Sequence, residues 1–260
     1  MKIAACIKQV PTREWQPRLR DDRTWVRDQD VSYEMNEPDA YALEEALRLR
    51  EKHGGEVVVC SAGPARVQQV LREALARGAD RALHVEDDSL GSADASIGAG
   101  ALAGAMADEA FDLVLTGVQS DDQGHGQTGV VLAERLGVPH STIIMEIQVQ
   151  ASEGAGGPAR VRVKRELEGG WFQWLTMPLP ALLTIQSGIN QLRYATLKDI
   201  MAAKKKEMRK MALPAGLQPS QQVLSLAVPT RTKQTQMIEG SPSDAARELV
   251  RRLRDEARAL

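Results

Sequence analysis

The sequence predicts an α/β fold: a doubly wound, mostly parallel sheet with flanking helices, antiparallel additions and a C-terminal arm. Three observations predict it. Short β-branched runs alternate with stretches of helical period up to about residue 137; strands without long intervening helices follow from about 139; and periodicity fades from 207 before a final amphipathic segment.

The first strand is "KIAACIKQV", and "NEPDAYALEEALRLREKHGG" follows as a helix. Asn36 is placed to cap it, its acids come early, Arg48, Arg50 and Lys52 come late, and Gly54 stops it. "EVVVCSAG" reads as the second strand, "ARVQQVLREALARG" as the second helix and "RALHVED" as the third strand. A helix over roughly 92–109 then precedes "DLVLTGV", the fourth strong strand. Four βα repeats put a ligand crevice at the carboxyl ends of the strands. Beyond these, "STIIMEIQV", "ARVRVKREL", "WFQWLTM" and "ALLTIQSG" are expected to extend or flank the sheet in antiparallel fashion, with "SEGAGGP" at 152–158 as a flexible turn. From 207, Pro214, Gly216 and Pro219 interrupt "EMRKMALPAGLQPSQQ", which reads as an extended arm. Ser241 and Pro242 suit the start of a last helix whose Ala245, Leu249, Val250 and Leu253 share a face. The expected organisation is an α/β domain over 1–206 and an arm with a docking helix over 207–260.

Composition excludes several classes of function. A 260-residue chain with 43% hydrophobic and 26% charged residues has enough apolar content for a sizeable core without disulfides. A net charge of -2 gives no general pull toward nucleic acid, and 3% aromatic content leaves few surfaces on which bases could stack. Cys6 and Cys60 lie in apolar runs without metal-ligand spacing and read as buried free thiols of a reducing compartment. No run approaches the roughly 18 apolar residues of a membrane span and no charged leader is evident, so the expectation is a cytoplasmic protein without direct membrane insertion. His84, His125 and His140 form no ligand cluster, so no metal is expected. Ser120, Asp121 and His125 lack the surroundings of a nucleophile elbow, and no catalytic residue is assigned.

The informative stretch is "LTGVQSDDQGHGQTGVVLAERLG", residues 115–137. It leaves the end of the fourth strand, and Gln127, Thr128 and Gly129 fall in the first turn of the next helix, where backbone N-H groups lack intrahelical partners. Those donors and the helix dipole make an anion site that needs no lysine, and Gly117, Gly124, Gly126 and Gly129 permit close approach. Asp121 and Asp122 do not suit phosphate contact and fit ribose hydroxyls, water or backbone better. There is no GxGxxG after the first strand and no GxxxxGK[ST]. From these residues alone, a nucleotide site and a structural turn both remain open.

Over nearly its full length the chain resembles the beta subunit of electron transfer flavoproteins. The segments that carry the resemblance are "KIAACIKQVP", "NEPDAYALEEALRLREK", "GPARVQQVLREALARGADRALHV", "LVLTGVQSDDQGHGQTG", "VKRELEGG", "PALLTIQSGINQLRYATLKDIMAAKKK" and "MIEG". The resemblance implies a Rossmann-like, adenine nucleotide alpha hydrolase-like fold and a heterodimer. In that heterodimer an alpha subunit holds the redox FAD and this chain a structural AMP. Carried over residue by residue, the AMP contacts are Cys6, Asn36, Asp39, Ala62, Gly117, Gly126, Gln127 and Thr128. Relatives often have Asn where this chain has Gly126, so backbone replaces a side-chain contact there. Bifurcating relatives, in which a second FAD replaces AMP, have a loop closer to "DGDTAQVGP"; "SDDQGHGQTG" is similar to the AMP-binding branch.

The resemblance also implies that residues 190–206 form a recognition loop whose Leu197 inserts into a flavin-containing dehydrogenase, with electrons passing on to a membrane quinone oxidoreductase. Leu197 packed under its own helix is the plainer alternative. Lys204, Lys205, Lys206, Arg209 and Lys210 read as a solvated face at the end of that helix, or as a patch that steers an acidic partner. Trp171 and Trp174 are expected in a core, in a subunit interface or against the flavin. Aromatic positions that relatives offer to the flavin are here Arg13 and Pro38. The rival readings are a nucleotide-binding stress-response-like module and a ligase on a similar scaffold; the latter lacks an SGGxDS motif, since "KQVPTRE" stands in its place.

Overall fold

The computed structural model of the chain describes residues 1–29, 31–150, 159–229 and 235–260, so the turn read at 152–158 lies outside the described residues. In chain order the elements begin with β1 (Lys2–Cys6), β2 (Gln9–Pro11), β3 (Tyr33–Met35), α1 (Glu37–His53), β4 (Glu56–Gly63), α2 (Gln68–Arg77) and β5 (Arg81–Glu86). Next come α3 (Ala95–Met106), β6 (Leu113–Gly117), α4 (Thr128–Leu136), β7 (His140–Gln150), β8 (Arg160–Glu166) and β9 (Phe172–Pro178). The last are β10 (Ala181–Ile185), α5 (Leu197–Ala203), β11 (Met208–Met211) and α6 (Pro242–Asp255).

Nine strands form one sheet in the order β11-β5-β4-β1-β6-β10-β7-β8-β9, and β2 pairs with β3 in a small antiparallel ribbon. From β11 through β7 every pairing is parallel, and β8 and β9 close the far edge antiparallel. The inner strands are apolar on both sides because helices cover both faces. Ile3, Ala5, Val57 and Val59 share a buried cluster with Leu43 and Leu47 of α1 and Leu71 and Leu75 of α2. Alternate residues Ala4, Cys6, Val58 and Cys60 meet Leu102 and Met106 of α3 and Leu132 and Ala133 of α4. Such side chains as Leu43, Leu47 and Leu132, at 0% exposure, each contribute roughly 1.5–3 kcal/mol.

Strand order reverses at β1 and β6: the chain builds outward through β4 and β5, then returns to build outward through β6 and β10. Crevices at the carboxyl ends of strands open at such a switch point.

Three local expectations change. The "ALLTI" run is not an antiparallel flank; it is the buried strand β10, parallel to both β6 and β7. Residues 208–211, read as part of an arm, form β11 beside β5. The third helix is shorter than roughly 92–109, because the Asp94 carboxylate accepts the Ile97 N-H at 2.9 Å and starts it at Ala95.

The chain divides into two compact units, Met1–Ser225 and Leu226–Leu260. Within the second, Ser241 caps α6 through the Asp244 N-H, Pro242 occupies the first turn, and no residue of the helix is buried. No helix among the described residues is long and apolar enough to cross a membrane.

Candidate functional site

A cleft opens where β1, β4 and β6 end, enclosing about 870 Å³ when its solvent-facing mouth is counted. Cys6, Ala62 and Gly117 end the strands at its base, Asn36 and Asp39 enter from the start of α1, and Gly126, Gln127 and Thr128 come from the approach to α4. All eight positions singled out in the sequence therefore line one concavity.

Asp39 ties the cleft together. Its Oδ2 accepts the Lys8 N-H and its Oδ1 the Gly117 N-H, both at 2.8 Å, which locks the ends of β1 and β6 to α1. Burial raises its pKa to about 6, against the lowering effect of those two amides, of Asn36 and of Lys8. Asn36 stands at the N-cap of α1 but makes no side-chain cap, contrary to expectation. Its amide instead spans the loop after β6: Nδ2 donates to the Gln119 carbonyl at 3.0 Å, and Oδ1 accepts the Asp121 N-H at 2.9 Å. The loop offers groups that face both ends of a primary amide, and this outweighs one helix cap.

Lys8, which the sequence does not single out, also lines the cleft. Its Nζ lies 2.7 Å from Asp122 Oδ1 and also donates to Ser120 Oγ at 3.2 Å and Gln123 Oε1 at 3.0 Å. Although burial pushes it upward, Lys8 and the Ser120 hydroxyl hold the Asp122 carboxyl below its ordinary range. The signal available in the sequence was the single lysine at the end of "KIAACIK". Asp121 and Asp122 thus serve the loop's own architecture, and Arg13 bridges Glu37 and Asp121 on the outer side.

The start of α4 is an uncapped anion-binding element. Gln127 makes no side-chain cap, so the first-turn N-H groups of α4 remain available. Of the other helices that start at the cleft, α3 differs: Asp94 occupies its N-terminus and also accepts the Ser220 and Gln221 N-H groups. Close approach is built in. A Cβ at Gly117 would lie 2.7 Å from Pro38 Cβ and 2.8 Å from the Asp39 nitrogen, and one at Gly129 would lie 2.7 Å from both Thr116 Oγ1 and Thr184 Cγ2.

The cleft holds no activated thiol. Burial, then Cys60 and Asp39, push the Cys6 thiol well above its ordinary value, and burial pushes Cys60 up to about 12. Both cysteines are free and buried. Among the described residues no group of three or more His, Cys, Asp or Glu side chains is arranged for a metal.

The electron transfer flavoprotein domain profile matches residues 24–215, more than half of the chain. The chain belongs to the electron transfer flavoprotein family. Its relatives include the electron transfer flavoprotein subunit beta of Methylophilus methylotrophus, 36% identical and covering 96% of this chain and 97% of that one. The Bacillus subtilis protein of the same name is 32% identical over 90% and 91%. The mitochondrial subunit beta of Oryza sativa subsp. japonica is 35% identical over 100% of both. Membership makes this chain an electron-carrier subunit of a flavoprotein and not an enzyme.

Other positions singled out in this flavoprotein subunit lie away from the cleft lining. Leu197 opens α5 and is 83% exposed, so it does not pack under its own helix. Thr196 and Asp199 form a reciprocal capping box that fixes the chain entering that helix. Trp171 and Trp174 are exposed and not core residues, with the Arg162 guanidinium 4.4 Å over the Trp174 ring. Lys204 and Lys205 are solvated, but Lys206 reaches back to donate to the Leu75 and Ala79 carbonyls at the end of α2.

Proposed function

We propose that the chain is the beta subunit of a heterodimeric electron transfer flavoprotein, with a structural AMP in its cleft and the redox FAD held mainly by the alpha subunit. In this reading electrons pass from a flavin-containing dehydrogenase to a membrane quinone oxidoreductase. The flavin of the partner subunit supplies the redox chemistry; this chain holds the nucleotide, contributes to the flavin's surroundings and presents Leu197 to the dehydrogenase.

One observation carries the choice of nucleotide: among the described residues the lining is poor in cationic donors for a second phosphate. Its lysine, Lys8, is already paired with Asp122, it includes no arginine, and Asp94 fills the start of α3, while the first-turn amides of α4 are uncapped. A monophosphate suits that set better than the pyrophosphate of a second FAD. Asp39 and Asn36 would then fix the nucleotide indirectly, by holding the loop and strand ends against which it rests. AMP bound in this way performs no chemistry and stabilises the folded state by mass action.

The test is acid release of the nucleotides from the purified yellow complex, followed by chromatography. Equal amounts of AMP and FAD are expected from a 1:1 complex. Two FAD and no AMP would move the chain to the bifurcating type, and a colourless homodimer would reject the heterodimer altogether.

A further inference from the structure

We infer that Arg193 and Asn190 are positioning residues for the docking leucine, clamping the turn before α5 onto three carboxylates of α1. The inference rests on the proposed role of Leu197 in meeting the dehydrogenase, and extends it to how an exposed side chain is held ready.

Three glutamates along α1 face this turn. Glu44 and Glu45 are almost completely buried, at 6% and 9% exposure, which is costly for carboxylates unless partners are supplied. The turn supplies them. Arg193 donates from Nε to Glu44 Oε2 at 2.8 Å and from Nη2 to Glu44 Oε1 at 2.9 Å, while its backbone N-H also reaches Glu44 Oε2 at 3.2 Å. The same guanidinium bridges Glu51 through Nη1 at 2.5 Å and Nη2 at 3.1 Å. Asn190 Nδ2 donates to Glu45 Oε2 at 3.0 Å and to the Tyr41 carbonyl at 3.1 Å.

The planar fork of arginine meets each of the two carboxylates with a pair of N-H donors, a geometry that a lysine cannot reproduce. Ile189, Leu192 and Ala195, which alternate with these polar anchors, rest against the core, while Tyr194 and Leu197 stay 86% and 83% exposed. The turn is therefore fastened on one side and bare on the other. Three residues separate Arg193 from Leu197, and the Thr196–Asp199 capping box sets the chain direction at the end of that short span. Leu197 thus enters an interface from a fixed backbone, without the ordering cost that a loose loop would add. Because α1 also carries Asn36 and Asp39 into the cleft, the docking turn and the cleft share one rigid support.

The test uses the intact complex with its flavin-bearing subunit and a purified flavin dehydrogenase first shown to reduce it. Four variants are compared: Arg193→Ala, Arg193→Lys, Glu51→Gln and Leu197→Ala. Amide hydrogen exchange over residues 190–197 reads the clamp, and the KM for the complex against kcat reads docking. Arg193→Ala is expected to speed exchange in the turn at least tenfold and to raise KM about tenfold with kcat within twofold. Arg193→Lys should recover part of both effects, with nucleotide and flavin contents unchanged. Unaltered exchange and KM in Arg193→Ala, alongside a raised KM in Leu197→Ala, would overturn the clamp and leave the docking reading intact. A KM unmoved in Leu197→Ala would overturn the docking reading, and the positioning role with it. If Arg193→Ala fails to fold, Glu51→Gln removes only the exposed half of the fork; no change of exchange or KM in either Glu51→Gln or Arg193→Lys would count against the inference.

Discussion

Asp39 holds two backbone amides at the cost of keeping a carboxylate out of water, and that gives it a pH signature. Its folded pKa of about 6 lies above the ordinary 3.8, so between these values the native state binds more protons than the unfolded chain. Its contribution to stability is fully present below about pH 4 and is lost as pH rises through 6, a change of about 3 kcal/mol. Asp39→Asn should flatten that part of the stability-versus-pH curve, read from urea midpoints between pH 4 and 7. It should also cost about 1–3 kcal/mol, because an amide has one acceptor for two N-H donors. An unchanged slope would assign the pH dependence elsewhere. Gly117→Ala addresses the same junction: with Pro38 and the Asp39 backbone under 3 Å from the new Cβ, a loss of about 1–3 kcal/mol and of bound nucleotide is expected, by melting and by nucleotide release. Residue types were legible here in part. The glycines stood out and the resemblance marked Asp39 and Asn36, but Lys8 and the partners of Asn36 did not show, since contacts spanning 83 to 115 positions leave no local trace.

At the scale of elements, α2 and α5 cap each other. Arg72 donates to the Ala203 and Lys206 carbonyls at 2.8 and 3.0 Å, while Lys206 donates to Leu75 and Ala79 at 3.0 and 2.6 Å. Each cation serves the orphan carbonyls at the other helix's end. Replacing Lys206 by Met should therefore cost about 1–2 kcal/mol, while Lys204→Ala and Lys205→Ala stay within about 0.5 kcal/mol. Equal effects at all three positions in denaturant titrations would refute the reciprocal cap. The basic run gave no hint of this difference, because adjacent lysines look alike until the chain's path selects one. The strands show the same limit. The run "ALLTI" announces burial on both faces, yet its neighbours β6 and β7 are chosen by packing across the sheet. The early βα alternation was easier to read, because each of those helices covers the strands that flank it in sequence.

For the molecule as a whole, the division after Ser225 separates a unit with a closed core from one in which no described residue is buried. The second unit's helix α6 pairs Glu248 with Arg251 and Arg252 at 2.8 and 2.7 Å, yet leaves Leu249 and Val250 exposed. A single 14-residue helix without buried contacts is marginal in water, and surface ion pairs add little to it. Its amphipathic pattern and cap were legible in the sequence because they are local. If the flavin-bearing subunit of the proposed heterodimer covers the apolar face of α6, a chain ending at Ser225 should keep the melting temperature of the first unit within about 2 °C. It should also lose at least tenfold in affinity for the flavin-bearing subunit, since one or two buried apolar anchors are worth that much. Measured by titration of the two purified subunits, undiminished affinity would place the inter-subunit contact wholly within residues 1–225. A fall in melting temperature would show instead that the second unit supports the first.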